Sequence, residues 1–593
     1  MSNKTILASE LESALASANS ARIGVCVPSN INTDSQILKT AATLAQAHGC
    51  AKIVCATKLH AATLQAALEN ATEMSDVEVV YMQDLALRQL ECEQVQEQVK
   101  RKNRVLDANE MDVLTEDVKV CGLKAKRLSE MLKFFYHSLA DCTAEKDDWL
   151  VSEEEAKVFA ILEENLEARQ ACVPSEVAAK AYIGMKQANV EPCATHMVVD
   201  NFGALSRSAQ RLLEFLSGGN LVAFGNEEFQ MSDDEAYPNP AGMTELLKSD
   251  GTTTIYVEEQ TPIKMPAKTL QNPMEEFEYI TTYVQKCTED GTKPEDITIA
   301  CPNATWAKQI HKALKAQNVA CALDLPPKKI AGDPRDKERC GEIRLHAFAK
   351  LLQNKSDVTA LRTFIGAGDW LVGSDGFLEL LAYARQHNLG VQQAIKQMRS
   401  PENVENTTES FRKFLRPLGQ LDFLLKFWQT QNSGPITECM YKSNMPLGRH
   451  AWKVGDCYLK PNIDAFANSF VKPTRPLPAG VVVCTFSRTL NHPCKTLVVA
   501  GMVDGFMPKR DAVDDAFDLD HRNRALARDA RVLHAVERTA QKCIVYTNFD
   551  HDALENTAAL HMHTTRIYQK DGRRMARVSA SALLNGENNN TCE

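Results

Sequence analysis

The chain has 593 residues, room for about four domains at roughly 150 residues each. It is 44% hydrophobic and 24% charged, which excludes a disordered, collagen-like or low-complexity protein. With 77 acidic against 67 basic residues it carries −10, so a strongly basic, nucleic-acid-coating surface is excluded, whereas a local basic channel on an acidic body is not.

The N-terminal stretch MSNKTILASELESALASA predicts an Ala-rich amphipathic helix over Ile6 to Ala18, not a charged-then-apolar export signal. ARIGVCVPS (Ala21 to Ser29), AKIVCAT (Ala51 to Thr57) and VEVVYM (Val77 to Met82) read as short buried strands with helices between them, Ser35 to His48 among these. Continuous apolar strands separated by helices indicate a parallel α/β sheet. From about Asp84 to Pro192 the pattern turns to charged helix. There Leu128, Met131, Leu132, Phe135 and Tyr136 form one apolar face, and Lys119, Lys124, Lys126, Arg127 and Lys133 stand on the other side. That basic side reads as a solvated face or as a row of phosphate contacts.

The sheet pattern returns with THMVVDNF (Thr195 to Phe202), a helix over Ser206 to Leu216 and NLVAFGNEEFQ (Asn220 to Gln230), then a polar loop to Gly251. Residues 273–286 predict a helix, DITIACPN (Asp296 to Asn303) a strand, and TWAKQIHKALKAQNVA a helix. Residues 330–470 are again helical. AGVVVCTFSRT and KTLVVAGMVDGFMP supply two strands, and a helix over His521 to Gln541 leads into KCIVYTNF. The expected architecture is α/β, with two parallel-sheet cores (1–88 with 193–270, and 271–329 with 471–560). Helical insertions at 89–192 and 330–470 interrupt them, and 561–593 forms a tail. Eighteen scattered Cys make no CxxC, so zinc-ribbon and redox motifs lack their spacing. His561 and His563 are a poor metal signal, and no metal site is expected. No apolar stretch nears the roughly 20 residues that cross a bilayer. A cytoplasmic protein without membrane contact is expected.

Several segments, in order, resemble superfamily 1 DNA helicases of the UvrD/Rep/PcrA type and their AddB-like relatives. VVDNFGALSRSAQRLLEFL is similar to the family's Mg²⁺-linked Walker B segment, with Asp200, Leu205 and Gln210 at its spacing, and LVAFGNEEFQ to the motif that follows. NPMEEFEYITTYVQKC with DITIACPNATWAKQIHKALKAQNVA resembles the opening of the second motor domain. KTLVVAGMVDGFMP and ARVLHAVERTAQKCIVY resemble its closing strands and helix. The resemblance implies two RecA-like (P-loop NTPase-type) cores, ATP and Mg²⁺ as cofactors, single-stranded DNA as partner, and a role in DNA repair or recombination. RMARVSASALLNG resembles the opening of the nuclease domain of AddB-like proteins; with 14 residues after Ser579, no nuclease domain is expected.

Such a motor needs a Gly-rich phosphate loop, an Asp-Glu pair at a strand end and an arginine finger. No GxxxxGK[ST] occurs; Asn3-Lys4-Thr5 alone resembles its last residues, so Lys4 and Thr5 are the cofactor-contacting candidates there, with a plain helix start as the alternative. Asp200 is followed by Asn201 where the family has Glu, and Gly203-Ala204 replace Gln-Asp. Gly225-Asn226 replaces the later Gly-Asp. Two carboxylates have become neutral amides. If Ala540 matches the family's Ala, the finger position is Thr539 and Arg538 is displaced by one residue, about 100° around a helix. Arg531 fits the upstream nucleotide-contacting arginine, and Gln210 counts with it as cofactor-binding. Thr485 and Arg488 survive from the DNA-contacting segment. Further nucleic-acid candidates are Lys58, Arg207, Arg211, Trp306, Lys308 and Trp370, Trp306 being either a base platform or a packed aromatic.

The expected function is therefore a UvrD-like subunit with a degenerate ATPase site, a pseudoenzyme binding DNA or a helicase-nuclease partner. The alternatives are an active ATP-dependent helicase whose phosphate loop is missing from this chain, and a protein-only scaffold.

Overall fold

The computed structural model describes residues 3–17, 22–71, 76–99, 104–146, 148–192, 195–326, 330–368, 370–430, 463–470, 474–514, 517–549, 551–555, 566–570 and 573–585. The chain divides into two compact units. One comprises Met1–Leu85, Glu191–Pro327 and Thr474–Glu593; the other comprises Ala86–Val190 and Lys328–Pro473. Both parallel sheets thus share one unit, and both helical insertions share the other.

The first sheet has six strands: β1 (Arg22–Cys26), β2 (Ala51–Cys55), β3 (Val77–Tyr81), β4 (Met197–Asp200), β5 (Leu221–Gly225) and β6 (Thr253–Tyr256). Their order is β3-β2-β4-β5-β1-β6, and every pairing is parallel. Helices α1 (Asn3–Ser17), α2 (Asp34–His48), α3 (Lys58–Glu69) and α4 (Arg207–Ser217) accompany these strands. The strands are nearly continuous apolar runs because a sheet covered on both faces leaves no solvated side. Leu7, Leu11 and Ala14 of α1 join Ile23, Val25, Ile53 and Phe224 in one core.

The second sheet has seven strands: β7 (Ile263–Lys264), β8 (Lys268–Leu270), β9 (Ile297–Cys301), β10 (Cys321–Asp324), β11 (Val481–Thr485), β12 (Cys494–Val499) and β13 (Ala540–Phe549). Its order is β8-β13-β12-β9-β11-β10, with β7 also on β13, again all parallel. Helices α5 (Pro273–Glu289), α6 (Ala304–Ala316) and α7 (Leu519–Glu537) belong to it. The chain is thus an α/β protein with two all-parallel sheets of Rossmann/RecA-like type, consistent with two RecA-like cores.

Trp306, at the start of α6, is fully buried among Phe277, Phe506 and Phe549. Its indole N–H donates to Glu276 Oε2 at 2.7 Å, while Gly501 N–H and the Thr547 hydroxyl donate to Oε1 at 2.8 and 2.6 Å. Burial pushes the Glu276 carboxyl up to about 7 against those three donors.

Two local expectations need correction. The stretch read as a loop to Gly251 contains the helix Pro240–Lys248, opened by Pro240 in its first turn and burying Met243, Leu246 and Leu247. The C-terminal segment is more than a tail. Strands β14 (His551–Glu555), β15 (Arg566–Lys570) and β16 (Arg573–Val578) form an antiparallel sheet. Ser581 N–H then donates to Met502 O at 2.9 Å, and Ala582 N–H to Asp504 at 3.0 Å, so the segment compared with a nuclease opening is stitched to the second core. His561 and His563 lie outside the described residues.

In the helical unit, Leu128, Met131, Leu132 and Phe135 are buried as their spacing predicts, and Tyr136 is half-buried against the same core. Lys119 pairs with Glu116 at 2.6 Å and Arg127 with Glu154 at 3.3 Å, so part of the basic face is neutralised locally. The two insertions meet at buried ions. Asp117 accepts from Arg169 and, at 2.6 Å, from Arg362, and the Ser374 hydroxyl donates to it at 2.8 Å. Burial, with Arg362 adding to it and Asp117 opposing, brings Arg169 down to about 10. Among the described residues no helix is long and apolar enough to cross a membrane.

Candidate functional site

The register of the first sheet sets Cys26 level with Gly225 and Cys55 level with Asp200. The chain therefore leaves β1, β5, β4 and β2 along one edge. From β1 it runs outward to β2 and β3, whereas from β5 it crosses to β6 on the other side of β1. Ligands of open parallel sheets bind in the crevice at such a reversal. A cavity of about 370 Å³ lies there, lined from the first sheet by the turns after β1, β2, β4 and β5, and from the second by Thr298, Val482 and His492.

The turn that a phosphate loop would occupy is the one joining β1 to α2, Val27-Pro28-Ser29-Asn30-Ile31-Asn32-Thr33. It contains no glycine and no lysine. Lys4 and Thr5 stand instead in the first turn of α1, ahead of β1, where no described strand feeds the helix. In the described first sheet the strand-to-helix geometry of a phosphate cradle is supplied by β1 and α2, to which Lys4 and Thr5 do not belong. Their side chains lie outside the described residues.

Where α2 begins, its exposed N–H groups and dipole favour an anion. Asp34 provides one from within the chain. Its carboxylate meets His60 Nε2 at 2.6 Å, and His60 Nδ1 in turn contacts Asp200 at the end of β4. His60 is placed by α3, whose cap Thr57 accepts from His60 N–H at 3.2 Å. Burial works against charge on the imidazole, but Asp200 and then Asp34 outweigh it and hold its pKa well above the ordinary histidine value. Sequence spacing offered no hint of His60, which lies 140 residues from Asp200.

Amide side chains at this edge form a chain of their own. Asn201 donates to Gln230 at 3.4 Å, Gln230 to Asn226 at 2.5 Å, and Asn226 to Ser29 in the β1–α2 turn at 2.9 Å. Gly203 is required by this closeness, since a Cβ there would lie 2.5 Å from the Asn226 carbonyl oxygen. Among the described lining residues there are three carboxylates (Asp34, Asp200, Glu295) and no Lys or Arg. No described group of three or more His, Cys, Asp or Glu is arranged to hold a metal ion. With His60 charged between Asp34 and Asp200, this lining is net negative.

Arg538 caps α7 and pairs with Glu228 and, at 2.9 Å, with Glu259; Thr539 is fully buried, its hydroxyl turned back to Val536 O at 2.7 Å. Arg531 is exposed, its guanidinium 5.9 Å from the Phe229 ring. Gln210 is buried, donating to Phe202 O and Asn239 O at 2.9 and 2.8 Å and accepting from the Asn239 side-chain amide at 2.7 Å, so it braces α4 and is not among the cavity's lining residues.

The nucleic-acid candidates divide. Trp306 has no exposed face, which corrects its reading as a base platform. Arg488 is 5% exposed, donates to Asp324 at 3.1 Å and stands 3.8 Å from Asp233. Burial opposes its charge, but those acids raise its pKa, and a guanidinium so enclosed is not offered to phosphate. Thr485 is likewise buried, with Ser487 at 3.3 Å. Arg207 lies 3.8 Å from Glu245. Lys58 and Lys308 are exposed, Lys58 with its ammonium 5.3 Å from the Tyr81 ring, and the Trp370 side chain lies outside the described residues.

The His60 clamp has a measurable signature. Its ring should remain protonated at pH 7.5 by NMR, and Asp200→Asn should return its titration toward the ordinary value. A wild-type ring that titrates near 6.5 would remove the clamp. Because the folded pKa is raised, the stabilisation is complete below about 6.5 and lost as pH rises through the folded value. The destabilisation caused by His60→Gln should therefore shrink in alkaline buffer.

No protein-family model matches the chain, and no curated protein matches it significantly.

Proposed function

We propose that this chain is a UvrD-like, helicase-derived subunit of a DNA repair or recombination assembly whose nucleotide cleft no longer takes ATP. Its work is to bind a partner. The observation that carries the reading is the β1–α2 turn. Glycine and lysine are missing from Val27–Thr33, and Asp34 fills the anion-favouring start of α2 and pairs with His60. ATP brings about four negative charges that a phosphate loop, its lysine and Mg²⁺ normally balance. Here the described lining adds carboxylates and no cationic Lys or Arg.

Of the two partner classes, protein is favoured over DNA. Trp306, Thr485 and Arg488 are turned into the second core, leaving Lys58 and Lys308 as exposed members of that set. A helicase-nuclease subunit is the protein partner that the resemblance suggests. Single-stranded DNA remains the alternative, and it predicts binding that weakens steeply with salt.

Calorimetry with the purified chain should give no saturable heat for ATP with Mg²⁺ up to about 1 mM. Binding tighter than about 10 μM, or DNA-stimulated hydrolysis abolished by Asp200→Ala, would overturn the proposal. Anisotropy with labelled oligonucleotides separates the partner classes, since salt-sensitive binding selects DNA.

A further inference from the structure

In a working motor of this architecture, an arginine from the second core meets a charge that the bound nucleotide brings to the first. Here Arg538, at the α7–β13 turn of the second sheet, already has its anions. Glu228 comes from the turn after β5, and Glu259 from the segment joining β6 to β7. Beside it, fully buried Asn30 of the β1–α2 turn donates to Ala540 O at 3.1 Å and to Gln260 O at 2.8 Å. Gln541 donates back to Asn30 O at 2.5 Å. At another point on the cleft the Ser487 hydroxyl donates to Asp233 at 3.2 Å, and Arg488 approaches the same carboxylate.

From these contacts we infer that the chain carries an internal substitute for the nucleotide: Glu228 and Glu259 occupy Arg538 and, with the Asn30–Gln541 exchange, latch the two sheets together without any ligand. The inference rests on the reading just proposed, and it adds that the cleft is held closed constitutively. Three features make the contacts a latch and not incidental surface pairs. They draw on both sheets and on the segment that joins them. Asn30 is completely buried, so the amide cannot trade its partners for water at no cost. The arginine is held by two carboxylates from separate segments, whose positions both depend on the sheets staying together.

A closed, nucleotide-free cleft also gives a partner one fixed surface. A motor cycles between open and closed forms, so a protein bound across both cores would be released at each turn. Direct ion pairs remove that cycle, which suits a subunit that stays bound.

Hydrogen exchange of the full chain tests the latch, read at peptides covering 27–33 and 226–235, both in the first core. Arg538→Ala should speed exchange there about tenfold while strands β1 and β5 keep their protection. The double variant Glu228→Gln/Glu259→Gln preserves side-chain size, leaves Arg538 in place and should give the same result, which guards against a folding defect in the alanine variant. Exchange in both peptides within about twofold of wild type in each variant would overturn the latch. Equal acceleration in the strands of both variants would also overturn it, because the pairs would then hold the fold itself. About 1 mM ATP with Mg²⁺ should leave the wild-type peptides unchanged. Strong slowing on that addition would instead overturn the proposed function, since the cleft would then close on nucleotide.

Discussion

Asp117→Ala should destabilise the helical unit by about 3–5 kcal/mol, because it strands two guanidinium groups in the interior. Asp117 and Arg362 are fully buried, and the Arg169 side chain is 1% exposed. Both arginines also lie over the Phe377 ring, at 4.8 and 5.4 Å, so neither can turn to water without leaving its packing. Asp117 comes from the first insertion and Arg362 from the second, so the same substitution should loosen the joint between segments 245 residues apart. Urea unfolding followed by helix circular dichroism measures it. A loss below about 1 kcal/mol would mean that the cluster is solvated and that the insertions are joined by their apolar surfaces instead.

Trp306→Ala should cost the first unit about 3–5 kcal/mol, the loss expected for a large aromatic removed from a filled core. Beyond the lost packing against Phe277, Phe506 and Phe549, the change removes one of three donors to Glu276. The Glu276 pKa, already raised to about 7 by burial, should climb further. If Trp306 were a base platform, the same substitution would weaken oligonucleotide binding and leave the unfolding midpoint nearly unchanged. A thermal scan and an anisotropy titration on the same variant decide between the two.

Much of the fold was legible along the chain. Runs such as RIGVC and MVVD are buried on both faces, and a strand in that position must be written as an unbroken apolar run. The helix Pro240–Lys248 was illegible for the opposite reason. Its Pro and Gly read as loop residues, yet Pro240 opens the helix, and Gly242 is small because Gln210 lies against it.

The site was legible by subtraction. A phosphate loop is a local pattern, so its absence can be read directly, as can Asn201 directly after the strand-end Asp200. The groups that meet at this edge were not legible. His60 sits 26 residues after Asp34 and 140 before Asp200, on a helix with no motif. Arg488 and Trp306 were plausible contacts by position, but position within a motif does not say whether a side chain points outward.

By itself, then, the amino-acid sequence determined that two parallel sheets form, that helical stretches interrupt them, and that no glycine-rich GxxxxGK[ST] pattern is present. These properties are carried by apolar periodicity and by short contiguous motifs. Only the tertiary structure decided that Asp34 and Asp200 close on His60, that Glu228 and Glu259 claim Arg538, and that Trp306 turns inward. Those outcomes depend on which turns meet at the C-terminal edge of a sheet, and residues distant along the chain become neighbours there only once strand order and register are set.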